Sequence, residues 1–265
     1  MKVIIVGSGK SLDNLSEKDI KIINSADRVL VFNKMCGHFS DYGLRVTDLY
    51  FHDFFHWDVF REYIGRVDLA HKTLYTNKVF ARYFYRSSLV AAILNDVFIR
   101  FYHLVLMLIL LATGKDGNLS RFILFREWSY IRLPSTSVLH GLRLGRDGER
   151  TIAKTYKDEF FHCMGSLSTC INLGLILPGC TKIHLVGVDF NKDGYASKII
   201  DRHDHTKLLV KATRVLHYSL TQESKFKEGL TWLGENAKEY NTEIVVSSKD
   251  SWLVKKDIFS YEALA

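Results

Sequence analysis

The chain opens Met1-Lys2-Val3-Ile4-Ile5-Val6-Gly7-Ser8-Gly9-Lys10-Ser11-Leu12, and the reading of these residues decides the fold class. Val3 to Val6 is an unbroken β-branched run, the pattern of a strand buried on both faces. A glycine turn ends it, and Leu12 to Ile23 then carries apolar residues at helical spacing with charges between them. A buried strand, a glycine turn and an amphipathic helix make a β-turn-α unit, the building block of a parallel sheet with helices on its faces. The turn also limits the chemistry. Gly9-Lys10-Ser11 matches the end of the phosphate loop G-x-x-x-x-G-K-[ST], but its first glycine would fall on Ile4, inside the strand. A loop that wraps a triphosphate is excluded by that spacing. The dinucleotide fingerprint G-x-G-x-x-G is incomplete too, because Leu12 stands at its third glycine. What remains is more general. Gly7 and Gly9 let the backbone approach a ligand, and Ser8 and Ser11 place hydroxyls at a helix start, where the dipole favours anions. The same residues also suit a ligand-free tight turn with Ser11 as helix cap.

Further units follow. A strand over Arg28 to Phe32 ends at Asn33-Lys34-Met35, and a short one near Arg45 to Phe51 ends at His52-Asp53. Lys72 to Tyr85 reads as a strand and an aromatic-rich turn, and Gly141 to Arg150, rich in glycine and arginine, as a mobile loop. From Ser166 the run SLSTCINLGLIL reads as a helix buried on most sides, stopped by Pro178-Gly179; the strand Lys182 to Val188 then ends at Asp189-Phe190. A polar loop, a helix over Lys225 to Glu239 and a strand over Glu243 to Ser247 complete the pattern. In open parallel sheets ligands bind beyond the carboxyl ends of strands, so the polar residues at these ends are the candidate site. The expected architecture is one Rossmann-like α/β domain over residues 1–265, with helices on both faces, a helical insertion at about 86–160 and a mobile lid at about 191–220.

The 265 residues carry a formal charge of +7, with 47% hydrophobic and 25% charged side chains, so the chain can bury a large core. Lysine and arginine are spread along it, which favours an anionic or membrane neighbour over a dedicated nucleic-acid reader. Cys36, Cys163, Cys170 and Cys180 form no C-x-x-C pair and have no zinc-finger histidine spacing, so reduced, buried thiols are expected. Met1 leads directly into the strand with no leader pattern, which points to the cytoplasm. Phe101 to Ala112 is the most apolar run and is shorter than the roughly 20 residues of a membrane span. It reads as a buried or homo-oligomer-forming helix, the other reading being an interfacial helix that brings the chain to lipid-linked substrates.

The order Gly7-Ser8-Gly9-Lys10-Ser11-Leu12, Asn33, the serine-containing helix before Lys182-Ile183-His184-Leu185-Val186-Gly187-Val188-Asp189-Phe190, and then His217-Tyr218 resembles the bacterial sialyltransferases of glycosyltransferase family 42. That family has a strand followed by G-N-G-P-S-L, a later N-Q-F, a T-S-G helix leading to I-Y-L-S-G-I-D-F, and an S-H-Y-I-G-H-S stretch. The resemblance covers Met1 to about Phe55 and Phe161 to about Trp252, and it implies a GT-A-like variant of the sheet. It also implies inverting, metal-independent transfer of a sugar acid from a CMP-sugar to a cell-surface glycan or glycolipid, with no cofactor. The enzyme would work in the cytoplasm or at the inner face of the cytoplasmic membrane, in lipopolysaccharide or O-antigen synthesis. Carried over by position, the nucleotide site would comprise Gly7, Ser8, Gly9, Ser11, Asn33, His52, Ser166 and Asp189.

The departures are specific. The arginine just before the family's T-S-G is not at Cys163 or Met164, and its phosphate-holding tyrosines are replaced by Asn191 and Ser197, with Tyr195 nearby. A cation or hydroxyl must meet the leaving phosphate, and Lys192, Lys198, Arg143 and Arg146 are available. For the base that deprotonates the acceptor, His217 aligns with the first histidine of S-H-Y-I-G-H-S, whereas the family's base is the second; a small loop deletion would bring His217 there. His203-Asp204-His205 is the alternative, with His205 or His203 as base or the triplet as a metal site. Two other classes stay open: a phosphotransferase or pyrophosphokinase with a divalent ion near Asp189, Asp193 and Asp201, and a non-catalytic nucleotide-binding protein.

Overall fold

A computed structural model describes residues 1–52, 64–65, 67–81, 83–86, 88–113, 130–145, 149–190, 194–201 and 223–264. Its strands are β1 (Lys2–Val6), β2 (Arg28–Phe32), β3 (Asp48–Phe51), β4 (Thr73–Asn77), β5 (Phe84–Tyr85), β6 (Ile131–Arg132), β7 (Val138–Leu144), β8 (Glu159–Phe160), β9 (Lys182–Val186), β10 (Glu243–Val246) and β11 (Ser260–Tyr261). The α-helices are α1 (Glu17–Asn24), α2 (Lys78–Ala81), α3 (Leu89–Ala112), α4 (Ser166–Leu175), α5 (Ser197–Asp201), α6 (Glu223–Ala237) and α7 (Trp252–Lys255).

Nine strands form one sheet in the order β11-β10-β9-β1-β2-β3-β4-β7-β8, and every pairing in it is parallel. The chain is α/β with helices on both faces, a Rossmann-like arrangement. From β1 the chain steps outward through β2, β3 and β4, whereas β9, the next strand on the other side of β1, arrives much later in sequence. The order therefore reverses between β1 and β9, which is where open sheets leave a crevice. Val3, Ile4, Ile5 and Val6 are all fully buried, each stabilising the fold by about 1.5–3 kcal/mol relative to exposure. Their alternation splits the core. Val3 and Ile5 pack with Leu167 and Ile171 of α4 and Leu230 and Leu233 of α6; Ile4 and Val6 pack with Ile23 of α1, Met35 and Cys36, and Ile199 of α5.

Several expectations need correction. The helix predicted from Leu12 is broken: a short 3-10 helix spans Lys10–Asn14 and α1 begins at Glu17, where Ser16 and Asp19 form a reciprocal capping box. Ser11 is therefore not a helix cap, and no α-helix dipole starts at the glycine turn. Gly141 to Leu144, expected in a mobile loop, belong to β7, paired with β4 on one side and β8 on the other. The stretch 86–160 is helical over α3 but also supplies β6, β7 and β8. The apolar run ending at Ala112 is part of a 24-residue helix rather than a 12-residue one, so its length and composition meet those of a membrane span. All four cysteines are buried free thiols.

Candidate functional site

The carboxyl ends of β1, β2, β3, β4 and β9 all open on one edge of the sheet, and the predicted residues lie along it. After β1, the Gly7 amide donates to Val186 O (2.8 Å) and the Gly9 amide to Gly187 O (2.7 Å), which draws this turn against the one that follows β9. The approach is too close for side chains. A Cβ on Gly7 would lie 2.5 Å from Gly187 O, and one on Gly9 would lie 2.5 Å from Asp189 Oδ2. Gly187 is itself left-handed (φ 64°), with room for a Cβ denied by Leu12 at 2.7 Å. What the glycines approach here is the neighbouring turn. Leu12, standing where a third glycine would be, is the buried side chain that fills the space above Gly187.

Two pairs of predicted residues are joined. Ser11 donates its amide to Asp189 Oδ2 and its hydroxyl to Asp189 Oδ1, both at 2.7 Å. Asp189 is held in turn, its carbonyl accepting from the Trp252 amide at 2.7 Å. Asn33, left-handed at φ 51° as asparagine tolerates, donates from Nδ2 to Ser166 Oγ at 2.9 Å, and Ser166 Oγ–H reaches Asn33 Oδ1 at 3.2 Å. Those contacts tie the end of β2 to the start of α4. Met164 (φ 53°) and Gly165 (φ 146°) bend the chain into α4, whose first turn has no side-chain cap. The rest of α4 is buried and polar groups line it: Ser168 Oγ accepts from the Cys163 amide, Thr169 Oγ1 donates to Phe161 O, and Asn172 bridges Ala153 and Phe161.

His52 follows the last residue of β3, its ring 5.0 Å from that of His162, edge to face. Burial, with a smaller contribution from His162, pushes the His52 pKa down to about 4, so it stands neutral at pH 7. His162 Nδ1 lies 3.3 Å from Thr169 Oγ1.

Part of the predicted lid is described. Tyr195 forms an antiparallel bridge with Gly9, the Ala196 amide donates to Ser8 O (3.0 Å), and Ser197 donates from its amide and hydroxyl to Asp13. Lys34 Nζ sits 3.9 Å from the centre of the Tyr195 ring. A cation and a phenol thus stand beside the glycine turn and next to Asn33. Lys198 points elsewhere, donating to Asp41 O and covering the Tyr42 ring. His203, His205, His217, Lys192, Arg146 and Asp193 lie outside the described residues. Among the described residues no three His, Cys, Asp or Glu side chains are grouped to hold a metal ion.

Sequence reasoning passed over Lys34 and His162. Lys34 was legible in principle, being the second residue past a strand that ends in a site candidate. His162 carried no local signal, because its relation to His52 depends on how the segment before α4 crosses the end of β3. Comparison with family models, curated proteins and solved structures returned no match for this chain.

Proposed function

We propose that the chain is an inverting glycosyltransferase that takes a sugar acid from a CMP-sugar. The observation that carries this reading is the Asn33–Ser166 pair at the mouth of the sheet, with Lys34 and Tyr195 alongside. The pair supplies an amide and a hydroxyl of the kind that read a pyrimidine edge. The neighbouring ammonium and phenol supply the cation and donor that a departing phosphate needs, and that the expected lysines and arginines left unassigned. The amides at the uncapped start of α4 favour an anion on the same side.

In this reading Asn33 and Ser166 hold the cytidine, Lys34 and Tyr195 take the phosphate, and neutral His52 adds a hydrogen-bonding ring nearby. An acceptor hydroxyl loses its proton to a histidine, His217 or His205, as its oxygen bonds to the anomeric carbon. The bond from that carbon to the CMP oxygen breaks with its electron pair, leaving CMP and an inverted glycoside. The GT-A-like description, the lid over 191–220 and the cell-surface acceptor belong to this proposal.

The test is a thermal-shift series without divalent ions. CMP and CDP should raise the melting temperature of the wild-type chain, and Lys34→Met should lose most of the shift with CMP and less with cytidine. A response to ATP with magnesium and none to CMP would reject the reading in favour of phosphotransfer. With binding in hand, CMP release from several CMP-sugars identifies the donor, and His217→Ala against His205→Ala identifies the base.

A further inference from the structure

We propose that α3 lies along a membrane surface, embedded in one leaflet of a phospholipid bilayer, without crossing it. The inference is independent of the sugar-transfer reading. It starts from how α3 distributes its side chains. At about 100° per residue, the exposed apolar residues Leu94, Phe98, Phe101, Val105, Leu108 and Ile109 share one face, and exposed Val97, Leu104, Leu111 and Tyr102 on either side of them widen the arc to about 200° of the helix. Phe101, near the middle of that arc, is 64% exposed, and Phe98 73%. The remaining arc faces the protein. It contains Ile99, His103 and Met107, all partly covered, and Arg100, which is 6% exposed.

This arrangement is the reverse of a water-facing helix. Arg100 is turned inward and the large apolar side chains outward, so the solvent that suits the outer face is apolar. An arc of about 200° is also twice the width of the stripe that one packed helix covers, which argues for lipid over a second copy of the chain. The formal charge of +7 favours an anionic headgroup layer around it.

The connections decide between crossing and lying flat. At about 1.5 Å per residue, 24 residues reach about 36 Å, enough to cross a hydrocarbon core of about 30 Å. The chain leaves the folded domain at β5 and returns at β6, and those strands are paired side by side, Phe84 opposite Ile131 and Tyr85 opposite Arg132. Both ends of the excursion are therefore on the same side as the domain. A single crossing would put the return on the wrong side. A second crossing would have to be made by the sequence 114–129, which contains Lys115, Asp116, Arg121, Arg126 and Glu127 and is shorter than the roughly 20 apolar residues required. Lying in one leaflet satisfies both the apolar arc and the shared side.

The experiment uses the purified full chain and vesicles of mixed phosphatidylcholine and phosphatidylglycerol. Wild type should float with the vesicles at low and at high salt, because apolar burial is not screened. Phe98→Glu with Phe101→Glu should reduce the floated fraction at least about tenfold, and Val105→Gln should reduce it less. All three positions are exposed, so the lipid-free melting temperature should stay within a degree or so of wild type. Lys115→Cys should be labelled from outside by an impermeant maleimide in sealed vesicles, against a low background because all four native cysteines are buried. Three results would overturn the proposal. One is flotation that vanishes at high salt. Another is a lipid-free dimer broken by the Glu substitutions with no flotation at all, which would assign the face to a second copy. The last is a Cys at position 115 protected until detergent is added, which would place the far end of the helix across the membrane.

Discussion

Both hydrogen-bond donors of Ser11 are engaged by the two carboxylate oxygens of Asp189, so the turn after β1 and the turn after β9 are closed by one bidentate, charge-assisted contact. Asp189 is 3% exposed, and hydrogen bonds to a buried carboxylate contribute about 1.5–3 kcal/mol. Asp189→Asn loses the charge and one acceptor, turning the Ser11 hydroxyl from donor to acceptor, and should cost about 1–2 kcal/mol in urea unfolding. Ser11→Ala keeps the amide contact and should cost about 1–2 kcal/mol, with the double variant less than additive. If Asp189→Asn instead unfolds like wild type while its nucleotide response disappears, the carboxylate serves a ligand and not the turn.

The neutral ring of His52 predicts a pH effect with a definite sign. Its folded pKa is about 4 against an ordinary 6.5, so between those values the unfolded chain takes up a proton that the folded chain refuses. The contribution of His52 to stability is complete above pH 6.5 and shrinks as the pH falls towards 4. At about 1.4 kcal/mol per unit the loss is at most about 3.5 kcal/mol, and partial exposure of the ring lowers that. His140 and His184 are shifted down by burial as well, so the readout is a difference. Denaturation curves of His52→Gln should fall less steeply with acid than those of wild type, and parallel curves would remove His52 from the account.

Asn172 carries much of the stability of α4. Its Oδ1 accepts from the amides of Ala153 (3.1 Å) and Phe161 (3.0 Å), and its Nδ2 donates to Ala153 O, all in a fully buried position. Asn172→Leu would strand two buried amides and should cost about 2–4 kcal/mol. A smaller loss, under about 1 kcal/mol, would mean that the loop around Ala153 re-forms its hydrogen bonds elsewhere.

The thiols should be inert in the native state. Cys36 lies against Val31 O and Tyr50 O, and burial pushes its pKa, and that of Cys170, well above the ordinary range. Ellman's reagent should therefore react with none of the four cysteines in buffer and with all four in denaturant. Rapid reaction of one thiol in buffer would show that its part of the core opens locally.

How legible the fold was depended on whether local sequence carried the decisive physics. β1 and β2 were readable because the unbroken apolar runs Val3–Val6 and Val29–Phe32 fit little else, β9 because Ile183, Leu185, Val186 and Val188 surround a single histidine before Asp189, and α4 because an apolar run with small residues ends at Pro178-Gly179. The break between the glycine turn and α1 was written in Ser16 and Asp19, a capping pair overlooked because the apolar spacing runs through it. α3 was halved because Asn95, Asp96 and Arg100 interrupt the apolar run in sequence, whereas in space Arg100 turns inward and leaves the outer face unbroken. The two-residue strands β8 and β11 have no sequence signal of their own; pairing with β7 and β10 makes them. At the site, the Ser11–Asp189 and Asn33–Ser166 contacts join residues 178 and 133 positions apart, which only the closed sheet brings together.

The Asn33–Ser166 pair can be tested for what it is for. A structural latch between β2 and α4 and a cytidine-reading pair predict different outcomes for one double-mutant cycle. Each hydrogen bond in the pair is worth about 1 kcal/mol, so Asn33→Ala and Ser166→Ala should each lower stability by that order, with the double variant short of the sum. If the pair also reads the nucleotide, each single variant should weaken CMP binding by about five- to tenfold at a temperature well below unfolding. The control is Asn33→Asp. The carboxylate still accepts from the Ser166 hydroxyl, so the latch survives in large part, but the amide donor is gone and a negative charge faces the anion. A latch alone would leave Asn33→Asp close to wild type in CMP affinity; a reading pair would make it the weakest binder of the set. Calorimetric titration of the four chains with CMP decides between them, and equal affinities across all four would remove the pair from the nucleotide site.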